Sequence, residues 1–184
     1  KSAAAARNNH NSPHILFYSP ALDIHITREN EISQEITEIS AGIKTDRLHL
    51  QFQPIFNIAA NRISGFEALA RLNSEKHGLV LPLEFISVAE KTNMIASLGE
   101  IIIIQTLRFL NKLKERGYDT ITVSVNISTV QMLENGFANK LLNMINDLQL
   151  SPESVGIELT ESVFAIKRNE IRTVIDTLKS AGIK

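Results

Sequence analysis

The 184-residue sequence contains no cysteine, and this absence excludes both disulfide bridges and thiolate metal sites. A chain of this composition fits a reducing compartment. Its five histidines show no spacing typical of a metal site in the body of the chain. An excess of positive charge is also absent, because 19 Lys and Arg residues are matched by 20 Asp and Glu residues, for a net charge of −1. This balance argues against a nucleic-acid polymer as a partner.

Long hydrophobic runs are missing as well. The longest run, at residues 101–104, is four isoleucines, whereas a membrane-spanning helix needs about 20 apolar residues. The first residues contain no apolar stretch of signal-peptide length. We therefore expect no membrane segment in this chain and a cytoplasmic location. Since the sequence starts with Lys1 rather than Met, we expect it to be part of a longer protein, whose upstream region could carry a membrane anchor.

Apolar residues repeat at helical spacing over roughly residues 22–44. One apolar stripe recurs every three or four residues and consists of Ile32, Ile36, Ile39 and Ile43. Glutamates occupy the other faces of this predicted helix. The pattern is typical of a linker helix whose stripe packs either on the following domain or on a twin helix in a dimer.

The rest of the chain alternates between strand and helix patterns. Strands are predicted at about residues 48–53, 63–71, 121–127 and 155–159, and the first two form a hairpin. A loop with Gly78 leads to a helix from Pro82, a break at Gly99 and a long helix to about Arg116. Two more helices follow the last two strands, and Ile183 is predicted to start another strand. This alternation implies parallel βαβ units, an α/β fold with its site at the C-terminal strand ends.

Residues 66–71 form the strand around which the site is predicted. Its side chains alternate between an apolar row and a second row that consists of Glu67, Leu69 and Arg71. A carboxylate among apolar neighbours is costly to desolvate unless a cation or hydrogen-bond donors meet it. The alternative is a half-exposed strand on which Glu67 forms an ion pair with Arg71.

Polar residues lie at corresponding positions near the ends of three predicted strands, namely Glu67, Asn126 and Glu158. Two carboxylates and one amide oxygen, without sulfur or histidine, suit a hard divalent cation such as Mg²⁺ or Mn²⁺ better than Zn²⁺. Each residue also has a simpler interpretation on its own. Asn126 could cap the following helix, a role also open to the residues just after it, and Glu158 and Glu161 could be solvated charges at a strand end.

The motif FEALAR at residues 66–71 resembles the signature of the EAL domain family, the cyclic di-GMP phosphodiesterases. Four further stretches are similar to family motifs in order and spacing: QPI at residues 53–55, PLEFI at residues 82–86, VSVNIS at residues 123–128 and ELTES at residues 158–162. Ahead of them, AARNN at residues 5–9, with Phe17 and Tyr18, resembles the end of a GGDEF domain, a diguanylate cyclase often fused upstream.

The resemblance implies a TIM-type (β/α) barrel with an antiparallel first strand, incomplete in this chain. It implies three segments: the tail of a GGDEF-like domain at residues 1–20, a linker helix at residues 21–45 and the N-terminal part of an EAL domain at residues 46–184. In the family, the chain continues after the position of Lys184 into a strand that ends in Asp-Asp-Phe-Gly. We therefore expect residues 1–184 alone to be inactive.

The resemblance also implies a function for the full-length protein, the hydrolysis of cyclic di-GMP to linear pGpG with two Mg²⁺ or Mn²⁺ ions. A homodimer through the EAL domain or the linker helix is expected. The alternative is a degenerate EAL domain that acts as a non-catalytic cyclic di-GMP receptor or as a protein-interaction module.

Matching positions assign roles to individual residues by this resemblance. The metal ligands would be Glu67, Asn126 and Glu158, and Glu67 would also be the catalytic residue. The residues that bind the dinucleotide would be Gln53, Leu69, Arg71 and Pro82. Of these, Arg71 would contact a phosphate. Glu161 would support the metal ligands from behind.

Overall fold

The computed structural model describes residues 20–159 and 168–184. The helices in these ranges are α1 (Pro20–Ser40), α2 (Pro82–Lys91), α3 (Ile95–Glu115), α4 (Thr129–Met132), α5 (Phe137–Asp147) and α6 (Arg168–Ser180). The strands are β1 (Leu48–Asn57), β2 (Arg62–Ser74), β3 (Gly78–Val80), β4 (Thr122–Ile127) and β5 (Val155–Leu159). No helix of the described ranges combines the length and apolarity needed to cross a bilayer. Apart from Pro20, the predicted GGDEF end lies outside the described residues, and so does Glu161.

The strands form one sheet in the order β1-β2-β4-β5, with β3 beside the end of β2. β1 and β2 pair antiparallel as the predicted hairpin, whereas β2, β4 and β5 run parallel. The predicted mixed α/β arrangement is thereby confirmed. The described part of the sheet is open, with β1 and β5 outermost. Lys184 donates to Val155 O (3.0 Å) and accepts from Ile157 N–H (2.8 Å), which places it beside β5 where the sequence predicts another strand to start.

Alternation gives the sheet one apolar and one polar face. On β4, Val123 and Val125 are buried, whereas Ser124 is half-buried and Asn126 is exposed. Successive side chains of a strand point to opposite sides, so the polar residues of β4 share a face with one another and not with the valines. Hydrogen-bonded neighbours in the adjacent strands extend this polar face across the sheet.

α3 covers the apolar face of the hairpin. Phe109 of α3 stacks on Phe52 of β1 with ring centroids 3.6 Å apart, and meets Phe66 of β2 edge-on at 5.5 Å. Aromatic pairs of this kind bury large apolar areas and fix the angle between the packed elements. The polar face of β2, with Glu67, consequently points away from α3.

A short strand, β3, forms where the sequence predicts only a loop. It pairs with the last residues of β2, from Leu72 to Ser74. Gly78 has a φ of +67°, a backbone conformation that glycine adopts without steric cost. The Ser74 hydroxyl accepts hydrogen bonds from the N–H groups of Lys76 and His77, which supports the turn between the two strands. A strand of three residues is too short to show a clear alternation in the sequence.

α3 passes through Gly99, where the sequence predicts a break, so this prediction is wrong. The break between α2 and α3 comes earlier, at residues 92–94, where Asn93 has a φ of +57°. Gly99 is buried, and a Cβ atom at this position would lie 1.7 Å from Nε2 of Gln131. The glycine at this position allows close packing between α3 and α4 rather than ending a helix.

α1 packs against the rest of the chain through its apolar stripe. Ile32, Ile36 and Ile39 are fully buried and belong to the same hydrophobic core as residues of the sheet, α2 and α3. Ile43 is 56% exposed, because α1 ends at Ser40 rather than near residue 44. The sequence left two partners open for the stripe, the following domain or a twin helix in a dimer. The structure shows the stripe packed on the part of the chain that follows α1. The division at residues 45 and 46 stays a prediction.

Glutamates of α1 contact the β2–β3 hairpin, although the sequence placed them on the faces away from the stripe. Glu35 is buried and accepts a hydrogen bond of 2.7 Å from the hydroxyl of Ser74, at the end of β2. Glu31 lies 2.5 Å from Nζ of Lys76 in the following turn. The glutamate side of α1 therefore holds the end of the strand that carries Glu67.

An ion pair joins α1 to α2 and lowers the pKa of a carboxyl group. Arg28 donates to both oxygens of Glu84, at 2.5 and 3.0 Å. These hydrogen bonds hold the pKa of Glu84 below its usual value of 4.5, although burial acts in the opposite direction. A carboxyl group with a lowered pKa in the folded state stabilises the fold at neutral pH, and this contribution is lost as the pH falls through the lowered value.

We expect the substitution Ile36→Glu to reduce the free energy of unfolding by about 3 kcal/mol or more, because it removes a buried apolar side chain and buries an unpaired charge. Ile24→Glu is the matched control on the same helix, since Ile24 is 70% exposed. Urea unfolding of both variants measures the difference. Equal effects of the two substitutions would contradict the packing described for α1.

We expect Arg28→Met to lower Tm at pH 7, because the ion pair is lost, and its Tm should approach that of the wild type as the pH falls through the lowered pKa of Glu84, where the carboxyl group of the wild type becomes protonated. Arg172→Met is the control, because Arg172 is 80% exposed and lies 3.9 Å from Asp176. Thermal unfolding between pH 7 and pH 3 measures both curves. An Arg28→Met curve that stays parallel to the wild type at all pH values would contradict this role.

Candidate metal centre on the polar face of the sheet

The strand register brings the predicted metal ligands together on the polar face. Glu67 of β2 lies beside Gln53 of β1 on one side and beside Ser124 of β4 on the other. Asn126, two residues after Ser124, lies beside Glu158 of β5. Paired residues of neighbouring strands point to the same side of a sheet. These five side chains therefore form one contiguous polar group on three parallel strands and the edge of the hairpin.

Two hydrogen bonds connect the carboxylates to β4. Nδ2 of Asn126 donates to Oε1 of Glu67 at 2.9 Å, and the hydroxyl of Ser124 donates to Oε1 of Glu158 at 2.6 Å. The side chain of Asn126 thus bonds to a residue of β2, while its backbone lies opposite Glu158 in the pairing of β4 with β5. The nitrogen and oxygen of an Asn amide are assigned from the hydrogen-bond network, and a half turn of the amide presents the oxygen in place of the nitrogen. The polar group can therefore present three kinds of oxygen to a cation, from carboxylates, from an amide and from a hydroxyl group.

The turn after β4 shows that Asn126 does not cap the next helix. Ser128 is the N-cap of α4, and its hydroxyl accepts a hydrogen bond from the N–H of Gln131. The side chain of Gln131 accepts in return from the N–H of Ser128, completing a capping box. The simpler interpretation of Asn126 as a cap is therefore wrong, and its amide is free to serve the polar face.

Arg71 forms no ion pair with Glu67, so the alternative of a surface pair on one strand is also wrong. Four residues along a strand correspond to about 13 Å, which is too far for a direct contact. The guanidinium of Arg71 instead donates from Nε to Oε1 of Gln51 at 3.0 Å and from Nη1 to the carbonyl of Ala70 at 2.9 Å. These contacts leave donors of the guanidinium available for an anion.

The other three residues predicted to bind the substrate are Gln53, Leu69 and Pro82, and each lies near Glu67 or Arg71. Gln53 is exposed and pairs in register with Glu67, and Leu69 lies between Glu67 and Arg71 on the same face of β2. Pro82 is the first residue of α2. The chain enters α2 directly after Val80 pairs with Leu72, so Pro82 lies near the part of β2 that holds Arg71.

The donor set suits a hard cation. Within residues 20–159 and 168–184, no group of three or more His, Cys, Asp or Glu side chains is placed to hold a metal ion. The potential ligands of the polar group are two carboxylates, from Glu67 and Glu158, and one amide, from Asn126. Oxygen ligands of this kind are typical for Mg²⁺ and Mn²⁺. Glu67, Asn126 and Glu158 are the residues that could hold such an ion.

Sequence reasoning missed two partners of the site, Ser124 and Gln51. Ser124 precedes Asn126 by two residues, so strand alternation already placed it on the polar face. That its hydroxyl would meet Glu158 depends on the register between β4 and β5, which no local pattern shows. Gln51 contacts Arg71 across the hairpin, and this pairing likewise depends on register.

Comparison with known proteins gives consistent matches. A family model described as the EAL domain matches residues 36–184. The signaling protein YkoW of Bacillus subtilis (strain 168) is 32% identical over 154 residues, which are 84% of this chain and 19% of YkoW. The cyclic di-GMP phosphodiesterase PdeR of Escherichia coli (strain K12) is 31% identical over 147 residues, which are 79% of this chain and 22% of PdeR. The chain spans about a fifth of the length of these curated relatives.

A solved structure shares the fold. The EAL enzyme Bd1971, in a form bound to cAMP and cyclic di-GMP, superposes with a TM-score of 0.75 and 31% sequence identity. The superposition covers 90% of this chain and 44% of the Bd1971 chain. The similarity therefore extends over nearly all of the present sequence.

We expect Glu67→Gln to weaken Mn²⁺ binding by the full-length protein more than about tenfold, because a charged ligand becomes neutral while its shape is kept, and even residues that only support metal ligands contribute 10- to 100-fold. The electron paramagnetic resonance signal of free Mn²⁺ measures the binding. Glu115→Gln is the control and should bind like the wild type, because Glu115 is an exposed carboxylate on α3, the helix that packs on the opposite, apolar face of the sheet. Wild-type affinity in Glu67→Gln would remove Glu67 from the metal site.

Proposed function

Because the chain belongs to the EAL domain family, we propose that the full-length protein is a metal-dependent phosphodiesterase that hydrolyses cyclic di-GMP to linear pGpG. The observation that carries this proposal is the polar group on the sheet, in which Asn126 bonds to Glu67 and lies in register with Glu158. The relative PdeR is named as a cyclic di-GMP phosphodiesterase, and Bd1971 binds cyclic di-GMP. Both support the same substrate for this chain.

The proposal includes closure of the sheet into a TIM-type (β/α) barrel in the full-length protein. Three observations support it: the parallel order of β2, β4 and β5, the packing of α3 on the apolar face and the pairing of Lys184 beside β5. In such a barrel the polar face would point inward, and the C-terminal strand ends would form the mouth of the active site. The division into a linker at residues 21–45 and a domain from residue 46, and the homodimer, belong to the same proposal.

Glu67, Asn126 and Glu158 would hold the divalent cations, Mg²⁺ or Mn²⁺. When bound, a pair of such ions neutralises the phosphodiester and lowers the pKa of a water molecule enough for it to act as nucleophile. The two carboxylates balance the charge of the cations, and the neutral amide adds a ligand without further negative charge near the anionic substrate. Ser124 fixes the orientation of Glu158 by its hydrogen bond of 2.6 Å.

Arg71 would bind a phosphate of the dinucleotide. Its Nε and Nη1 are held by Gln51 and the carbonyl of Ala70, so the guanidinium plane is oriented before any substrate arrives. A planar guanidinium forms two parallel hydrogen bonds to a phosphate, which a lysine cannot reproduce. Gln53, Leu69 and Pro82 would line the path of the nucleotide around it.

A catalytic role is favoured over a receptor that only binds. A receptor that only binds the dinucleotide would have no need of two carboxylate ligands for cations, Glu67 and Glu158, on the same face of the sheet. The test incubates full-length protein with cyclic di-GMP and Mg²⁺ or Mn²⁺ and follows pGpG by chromatography. We expect pGpG from the wild type and none from Glu67→Gln. Tight dinucleotide binding by the wild type without any product would support the receptor instead.

We expect Arg71→Ala to raise KM for cyclic di-GMP by about 10- to 100-fold, because charge-assisted hydrogen bonds contribute about 1.5–3 kcal/mol each. Mn²⁺ affinity should stay within twofold of the wild type, since the guanidinium serves an anion and not a cation. Arg71→Lys should recover only part of the loss. Arg108→Ala, an exposed arginine on α3, is the control. An unchanged KM in Arg71→Ala would contradict the assignment.

A further inference from the structure

The side chain of Gln131 lies behind the C-terminal end of β4 and is only 5% exposed. A glutamine buried to this extent needs partners for its amide, because an unpaired buried polar group is costly. Gln131 belongs to α4, a helix of four residues that is too short to be stable without support from its surroundings. Its partners lie in the turn after β4 and on α3.

The first partner is the turn that directly follows Asn126. Oε1 of Gln131 accepts a hydrogen bond of 3.1 Å from the N–H of Ser128, and the Ser128 hydroxyl accepts one of 3.4 Å from the N–H of Gln131. The two bonds close the turn on both sides. Only Ile127, which is buried, separates this turn from Asn126. The backbone at Asn126 is therefore held between a buried residue and a closed turn.

The second contact is a packing contact with α3 at Gly99. A Cβ atom on Gly99 would lie 1.7 Å from Nε2 and 2.6 Å from Cδ of Gln131, distances that no packed side chain tolerates. The amide of Gln131 thus occupies the space that a side chain at residue 99 would fill. The neighbouring residues of α3, Leu98, Ile102 and Ile103, are buried in the hydrophobic core, so the helix is packed in place where it meets the amide.

We propose that Gln131 and Gly99 are positioning residues for Asn126, holding the end of β4 so that the Asn126 amide meets the divalent cation of the site. This inference rests on the proposed metal site. A neutral amide attracts a cation less strongly than a carboxylate, so its contribution depends more on being held in place. Ligands and their support need to be fixed within about 0.5 Å of the working geometry. Capping bonds and the Gly99 contact provide that support from the side opposite the polar face.

The test compares Gln131→Met and Gly99→Ala in the full-length protein. Gln131→Met keeps the length of the side chain and removes the acceptor for Ser128, and Gly99→Ala displaces the amide by adding one methyl group. We expect each variant to weaken Mn²⁺ binding by about 10-fold or more, as supporting residues of metal sites typically do. The value of kcat should fall, while KM for cyclic di-GMP stays within twofold of the wild type.

A double variant shows whether the two residues act through one contact. If Gly99 acts only by accommodating the Gln131 amide, Gly99→Ala should cost little further Mn²⁺ affinity once Gln131→Ala has removed that amide. Full additivity of the two losses would overturn the shared contact. Thr106→Val on α3 removes another buried hydrogen bond, from Thr106 to the carbonyl of Ile102. This control should lower Tm without changing Mn²⁺ affinity.

Other outcomes separate this inference from the proposed function. If Asn126→Ala weakens Mn²⁺ binding while Gln131→Met and Gly99→Ala bind like the wild type with only a lower Tm, the positioning role is overturned and the metal site stands. If Asn126→Ala itself binds Mn²⁺ normally, the proposed metal site fails and the positioning role fails with it. Should Gln131→Met or Gly99→Ala not fold, Ser128→Ala removes one bond of the capping box and should weaken Mn²⁺ binding by a smaller factor. Wild-type affinity in Ser128→Ala would then overturn the role.

Discussion

Glu67 and Glu158 bring two negative charges onto one face of a single sheet, and neutral donors from β4 meet both of them. Asn126 bonds to Glu67 and Ser124 bonds to Glu158. These two donors are two residues apart on β4, the middle strand. The parallel pairing of β4 with β2 and with β5 therefore decides whether each donor meets its carboxylate. A slip of one residue in either pairing would turn one carboxylate to the apolar face. The chemistry of the site thus depends directly on strand register.

The surroundings of the sheet reinforce this register. Phe109 of α3 packs against β1 and β2 on the apolar face, and Glu35 of α1 holds Ser74 at the end of β2. Behind β4, Gln131 closes the turn after Asn126. The three parallel strands are in this way fixed from the apolar side and from their ends, which leaves the polar face open to ligands.

Much of this architecture could be predicted from sequence, and the exceptions share one physical reason. Alternation revealed β1, β2, β4 and β5, and it placed Glu67, Asn126 and Glu158 on one face, because side-chain direction in a strand is a local property. The break assigned to Gly99 was wrong, because the reason for that glycine is the amide of Gln131, 32 positions further along the chain. The partners Ser124 and Gln51 were missed for the same reason, since register and helix packing join residues that no short window contains. Glu161 and the GGDEF-like end stay predictions, because they lie outside the described residues.

The central claim is that Glu67, Asn126 and Glu158 together bind the divalent cation. Anomalous diffraction from crystals of the full-length protein grown with Mn²⁺ tests it most directly. We predict a manganese peak with oxygens of all three side chains at about 2 Å, the distance typical of small hard cations. A well-occupied manganese peak elsewhere, with Asn126 still bonded to Glu67 and Ser124 still bonded to Glu158, would contradict it.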